Sequence, residues 1–330
     1  MTRAATSTRG AEGGASKGDG SVRSYYGQPV IKEPVWTPEI PVYLFTGGLG
    51  GASAGLAELA RLRGNEELAR RAWIAALVGV TASPALLISD LGVPTRFLNM
   101  LRMFKVTSPM SVGSWLLSAS GLATGVSTAH SLTGLFPRAA RIARPAAAVL
   151  GLPLSTYTAA LLSNTAIPVW HEARRLLPFV FAGGAAASAG GVAVAATPAR
   201  HSGPARRLAV GAAAAQLVGL QLMEHSLGEA GEPLSSGTAG VLGKLAKGLT
   251  LVGGVAIGLG ARRSRAAAVA GGAAVTAGAL AERWAIFRAG FQSAADPKYV
   301  VGPQRSRIDE GQTRGGSRTS PRLASGSVGR

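Results

Sequence analysis

The chain has 330 residues, 47% of them apolar, no cysteine and a formal net charge of +18. Without cysteine it offers no disulfide, no thiolate-ligated iron–sulfur cluster and no cysteine-based zinc site. The mean hydropathy of +0.25 understates the middle of the chain, because charge is concentrated in loops and at both ends.

Residues 1–35 are rich in Gly, Ser, Thr and Arg without an apolar run, which fits neither a signal peptide nor a membrane span and predicts a disordered tail. Eight apolar stretches follow, at Ile40–Ala60, Ala72–Leu91, Met110–His130, Pro145–Ile167, Leu176–Thr197, Arg207–Met223, Val241–Ala261 and Ala266–Phe287. Each is about 20 residues long, the length that crosses a hydrocarbon core of about 30 Å. The last four are rich in Ala and Gly; Gly183–Gly184, Gly190–Gly191 and Gly253–Gly254 suit close helix packing. Pro84, Pro153 and Pro168 lie in or at the ends of spans, where each removes a backbone donor that neighbouring helices must compensate. From Gln304 to Arg330 the chain again reads as a disordered tail. Residues 36–303 are therefore expected to form one all-α integral membrane bundle of eight transmembrane helices.

The arginines cluster at span ends, which fixes topology rather than binding a phosphate backbone, so no nucleic-acid partner is expected. The odd-numbered loops carry Arg61, Arg63, Arg70, Arg71, Arg138, Arg141, Arg144, Arg200, Arg206, Arg207, Arg262, Arg263 and Arg265. The even-numbered loops carry Arg96, Arg102, Lys105, Arg174, Arg175, Lys244 and Lys247. That bias predicts a multi-pass protein of the cell membrane with both termini outside the cytoplasm.

Polar side chains of both signs, together with aromatics, gather on the termini side: Trp36, Glu39, Tyr43, Asp90, Arg96, Trp170, His171, Glu172, Glu224, His225, Glu229, Glu232 and Arg283 among them. Topology needs only Lys and Arg, so this enrichment marks a docking surface or a site. Glu39 and Tyr43 are one helical turn apart and share a face. The run Asp90-Leu91-Gly92-Val93-Pro94-Thr95-Arg96-Phe97 turns sharply between an acid and a base. Tyr157 and Asn164 fall on one stripe of the fourth span, which places Tyr157 roughly 15 Å from the helix end. Such a stripe suits a quinone, whose carbonyls need hydrogen-bonding groups and whose protons need a nearby carboxylate or histidine. The same residues also suit a structural role, with Asp90 and Arg96 pinning a loop and Tyr157 and Asn164 bonding between helices. No pair of histidines faces across the spans, so no haem is expected: His130, His171 and His225 lie at span ends and His201 in a loop. Glu224-His225 and Glu58 are candidate proton-relay groups or solvated helix ends.

The stretches Trp36–Leu49, Asp90–Phe97, Arg102–Ser111, Tyr157–Thr158 and Pro168–Trp170 resemble the NrfD/PsrC polysulfide-reductase membrane-subunit family. The resemblance implies an eight-helix subunit, without a metal centre or iron–sulfur cluster of its own. Such a subunit passes electrons between the quinone pool (menaquinone or ubiquinone type) and a four-cluster, ferredoxin-like iron–sulfur subunit joined to a molybdopterin-type catalytic subunit. It places the quinone beside Glu39, Tyr43, Asp90 and Tyr157; Arg96 of the sharp turn and Asn164 of the polar stripe are further candidate contacts read from the residues themselves. Tyr43 departs from the histidine expected at that position, and a phenol yields its proton far less readily near neutral pH. Asp90 or Glu39 is then the expected proton partner. A transporter or channel with a one-sided polar vestibule is the rival reading; it needs polar residues continuing through the bundle, and the fifth, seventh and eighth spans are almost free of them.

Overall fold

The computed structural model describes residues 30–91, 93 and 95–301. The two expected tails lie almost entirely outside the described residues, as do Gly92 and Pro94 of the turn after the second span.

The described residues form helices and connections, with no strand. The eight long helices are α1 (Glu39–Leu62), α2 (Glu66–Asp90), α3 (Pro109–Thr133), α4 (Pro137–Ser163), α5 (Leu177–Ala196), α6 (Gly203–Leu227), α7 (Gly237–Val255) and α8 (Arg265–Ala295). A π-helical turn, Ala256–Gly260, extends α7. Five helices, α1, α2, α4, α5 and extended α7, are long and apolar enough to cross a membrane. The other three are more polar: Ser and Thr recur in α3, Gln216 sits in α6, and Glu282 and Arg283 sit in α8.

Local chemistry sets several helix starts. The side chains of Asn65, Ser108 and Ser264 accept from the backbone N–H of Leu68, Ser111 and Ala267, capping α2, α3 and α8. Pro137 opens α4 two turns before the expected Pro145, so Arg138, Arg141 and Arg144 belong to the helix rather than to a loop. A proline in the first turn lacks only an N–H that would be unpaired anyway, and long arginine stems carry their charge outward along the helix surface. At the far end α4 stops at Ser163, short of the expected Ile167, whereas α8 continues two turns beyond Phe287.

Packing divides the bundle into two rings of four. Around the first, α1 touches α2, α2 touches α3, α3 touches α4 and α4 closes on α1; α5, α6, α7 and α8 close in the same order. The rings meet through α1 against α5, α4 against α5, α1 against α8 and α2 against α5. Exchanging the rings preserves the first three of these contacts but not the last, so the halves are related as an approximate parallel repeat about an axis along the membrane normal. Glycine placement follows it. Gly51 of α1 meets Gly151 of α4 backbone to backbone, and Gly191 of α5 meets Gly272 of α8. Gly50 packs on Gly79 of α2, as Gly190 packs on Ala209 of α6.

The end of the bundle holding the start of α1 and the end of α8 is here called proximal. Its core is built of large side chains, including Leu44, Leu162, Trp170, Phe181, Met223 and Phe287. The distal core is mostly alanine around Trp73, Leu68 and Ile257. At the distal end Arg265 donates to the carbonyls of Thr197 (3.1 Å), Val194 (3.4 Å) and Ala195, and Arg71 donates to Ala196 O (3.1 Å), which satisfies the orphan carbonyls of α5. Asn65 donates to His201 O at 2.8 Å and ties the α1–α2 hairpin to the α5–α6 connection across the two rings.

Candidate functional site

Most of the expected site residues gather around the first two turns of α1. The Asp90 carboxylate, at the end of α2, accepts from the Thr37 hydroxyl at 2.5 Å and from the Thr37 N–H at 3.4 Å. It therefore anchors the entry into α1 rather than closing an ion pair with Arg96, which opens the short helix Arg96–Met100 and is exposed. Glu39 starts α1, and its Oε2 is a buried atom without a hydrogen-bond partner. One turn on, Tyr43 is buried, and its phenol lies against that of Tyr157 from α4. Thr37 lies just before α1 and Tyr43 one turn inside it, so Asp90 and Tyr157 approach the start of α1 at successive levels. The Tyr157 ring also covers Gly113 of α3, where any side chain would collide with it.

Two expectations change. Tyr157 lies six residues from the end of α4, about 9 Å rather than 15 Å deep, because the helix stops at Ser163. Asn164 is the exposed residue that terminates α4, its N–H bonded to Ala160 O, and it does not extend a stripe with Tyr157 into the bundle.

An aromatic wall stands beside these groups. Trp36 stacks on Trp170 with ring centroids 5.3 Å apart, and Trp170 packs against Phe287 and Phe291 of α8. The buried Trp170 indole donates to Ile286 O at 2.7 Å, and Gly290 of α8 makes room for its ring. Sequence reading placed Trp36 and Trp170 on this side but not together; nothing in their spacing signals the stack. Further out, Leu98, Met103, Phe104 and Val106 are exposed on the α2–α3 connection beside Arg102 and Lys105. Just past α8, Lys298 pairs with Glu232 at 2.9 Å. That hydrogen bond holds the Glu232 carboxyl below its ordinary range and pushes the Lys298 ammonium up.

A second polar group of residues lies inside the ring of α5–α8. Glu282 and Arg283 are both 1% exposed and paired with each other. Arg283 also donates to Phe181 O at 2.7 Å and lies over the Phe181 ring, 3.7 Å from its centroid, while Gln216 donates to Glu282 at 3.2 Å. Gly184 makes space for the pair; a Cβ there would sit 2.9 Å from Glu282 Oε2. A cavity of about 10 Å³, room for one water, separates Glu282 from the Glu224–Lys247 ion pair of 2.6 Å nearer the surface. The eighth span is thus not free of polar residues, and Arg283 is a buried partner rather than a flanking charge. The adjacent acid and base in an otherwise small and apolar span were the signal available in the sequence.

No curated protein matches this chain. A family model described as polysulfide reductase, of the NrfD type, matches residues 22–296. That match covers both rings and the whole proximal cluster. The two four-helix rings, several of whose helices are fit to cross a membrane, thus form the membrane part of a known type of redox assembly: the chain belongs to the NrfD-type polysulfide reductase family.

Proposed function

We propose that the chain is a quinone-handling membrane subunit of a multisubunit oxidoreductase, with all eight long helices crossing the bilayer and an extrinsic iron–sulfur protein docked at the proximal end. The observation that carries this reading is the gathering of Thr37, Glu39, Tyr43, Asp90 and Tyr157 around the first turns of α1, within a chain whose family consists of membrane subunits of redox complexes. A quinone, when bound, supplies two-electron chemistry coupled to two protons. The residues present fit such a group: Glu39 Oε2 is buried and unpartnered, Tyr157 is a half-buried phenol, and Asp90 already holds one short hydrogen bond. In this reading Tyr157 hydrogen-bonds and orients the ring. Asp90 and Glu39 hold the exchangeable protons, and the Trp36–Trp170 stack keeps water from the inner side. The exposed apolar and cationic surface of the α2–α3 connection is the kind a protein partner covers.

Asp90→Asn and Tyr157→Phe are each expected to lower quinone-linked electron transfer about tenfold, the worth of one hydrogen bond in a buried site. Glu39 limits the Asp90 loss because it is a second carboxylate at the start of α1, beside the Thr37 that Asp90 holds. The variants are assayed in the intact complex, with copurification of the iron–sulfur partner as the control for assembly. Full activity in both variants would remove this site. Purification that recovers no iron–sulfur protein would remove the redox-anchor reading altogether.

The transporter reading draws on the cluster of Glu282, Arg283 and Gln216. Toward the distal end, however, the ring of α5–α8 is closed by Ala213, Val275, Ile257 and Ala268, which offer no polar continuation.

A further inference from the structure

The seam between the two rings opens into a groove on each side. One, about 720 Å³, is lined mainly by small and apolar residues of α1, α4, α5 and α6, among them Gly55, Leu59, Leu152 and Leu208, with Arg63 and Arg207 at its distal end. The other, about 590 Å³, is lined by α1, α5 and α8, including Phe45, Val192, Val269 and Leu280, and no charged residue lines it. Both exist because the distal core is built of alanine and glycine, which leave space where the rings meet.

The charged groove begins at Gly51, halfway along α1, and ends at Arg63 just past its last turn. At 1.5 Å per residue that is about 18 Å, the depth of one leaflet of a hydrocarbon core about 30 Å thick plus its headgroup border. No carboxylate lines the groove, and Arg63 and Arg207 are exposed and make no ion pair among the described residues. By contrast, Arg61 and Arg71 nearby are already paired with Glu58 and Glu67. An apolar slot one leaflet deep that ends in two uncompensated guanidiniums matches one occupant, a phospholipid with a net negative headgroup. A neutral prenylated ring would leave both charges unanswered.

We infer that this groove binds an anionic phospholipid of the distal leaflet, one acyl chain lying between the rings and the phosphate held by Arg63 and Arg207. The lipid then acts as a wedge that fixes the rings against each other. This stands apart from the redox reading and does not depend on it.

The test uses the full chain, delipidated in detergent, and native mass spectrometry of retained phosphatidylglycerol against phosphatidylcholine of the same chain lengths. The unmodified chain is expected to prefer phosphatidylglycerol roughly thirtyfold, the effect of two basic side chains near a charged group. Arg63→Gln with Arg207→Gln should abolish that preference, whereas Arg262→Gln with Arg263→Gln, on the same end but outside the groove, should leave it intact. Gly55→Leu fills the slot without touching backbone, since nothing lies within 4 Å of a Cβ at that position. It should lower retention of both lipids while helicity and elution volume stay unchanged. Equal retention of the two lipids, a preference that survives in the groove-arginine variant, or a quinone displaced by Gly55→Leu in place of phospholipid would each overturn the assignment.

Discussion

Arg283→Met should destabilise the protein by about 3–5 kcal/mol, the range for removing one partner of a buried ion pair. The cost arises from what stays behind. Glu282 is as deeply buried as Arg283, and its other partner, Gln216, donates a single hydrogen bond that cannot replace a charge. The Phe181 carbonyl also loses its donor, and the Phe181 ring loses the guanidinium lying over it. The double variant Glu282→Leu with Arg283→Met leaves no charge inside the ring and should recover most of the loss, because two apolar groups of similar volume avoid the desolvation that the pair must overcome. Denaturation in detergent, followed by tryptophan fluorescence, measures both. A loss below about 1 kcal/mol for the single variant would mean that Glu282 reaches water, through the small cavity toward Glu224 and Lys247. A double variant no more stable than the single would mean that the pair orders the ring in a way that apolar packing does not.

That pair also shows where sequence legibility ends. The sequence shows Arg283 only as one of the polar groups gathered on the termini side, and nothing in the hydropathy of the eighth span says that it turns inward beside Glu282 instead of outward to the border. The eight apolar stretches correspond one to one with the eight long helices, but α2 starts at Glu66 instead of Ala72, α4 starts at Pro137 instead of Pro145 and α8 runs on to Ala295 instead of ending at Phe287. The proximal gathering of Glu39, Tyr43, Asp90 and Tyr157 was legible for a topological reason. Alternating helices of fixed length return the start of α1 and the ends of α2 and α4 to one end of the bundle. What alternation cannot provide is azimuth. Asp90 faces Thr37 and not Arg96, and Asn164 ends its helix instead of continuing a stripe, because both choices depend on how far each helix runs and on which neighbour it leans against. The ring order escaped the sequence for the same reason, although the glycines that make it possible were visible.

Those glycines give the other large effect. Gly151→Ala is expected to cost about 3 kcal/mol, the upper end of overpacking penalties, since the new Cβ would fall inside the van der Waals shell of the Gly51 carbonyl, with Gly51 Cα only 3.2 Å away. Both neighbours are helix backbone, so no rotamer change relieves the clash, and α1 and α4 must separate along the seam that closes the first ring. Gly272→Ala should cost as much in the second ring, where Gly191 presents the same backbone face from α5. The two losses should add nearly in full, because the sites lie in different rings and share no partner. Gly121→Ala and Gly125→Ala are the controls. Neither has an atom within 4 Å of the built Cβ, and each should gain about 0.5–1 kcal/mol from the better helix propensity of alanine. Thermal melting of the purified full chain, read by helical circular dichroism, separates the two groups by several degrees or more in opposite directions. If Gly151→Ala and Gly121→Ala moved the transition equally, the first ring would not be held by contact between these two backbones.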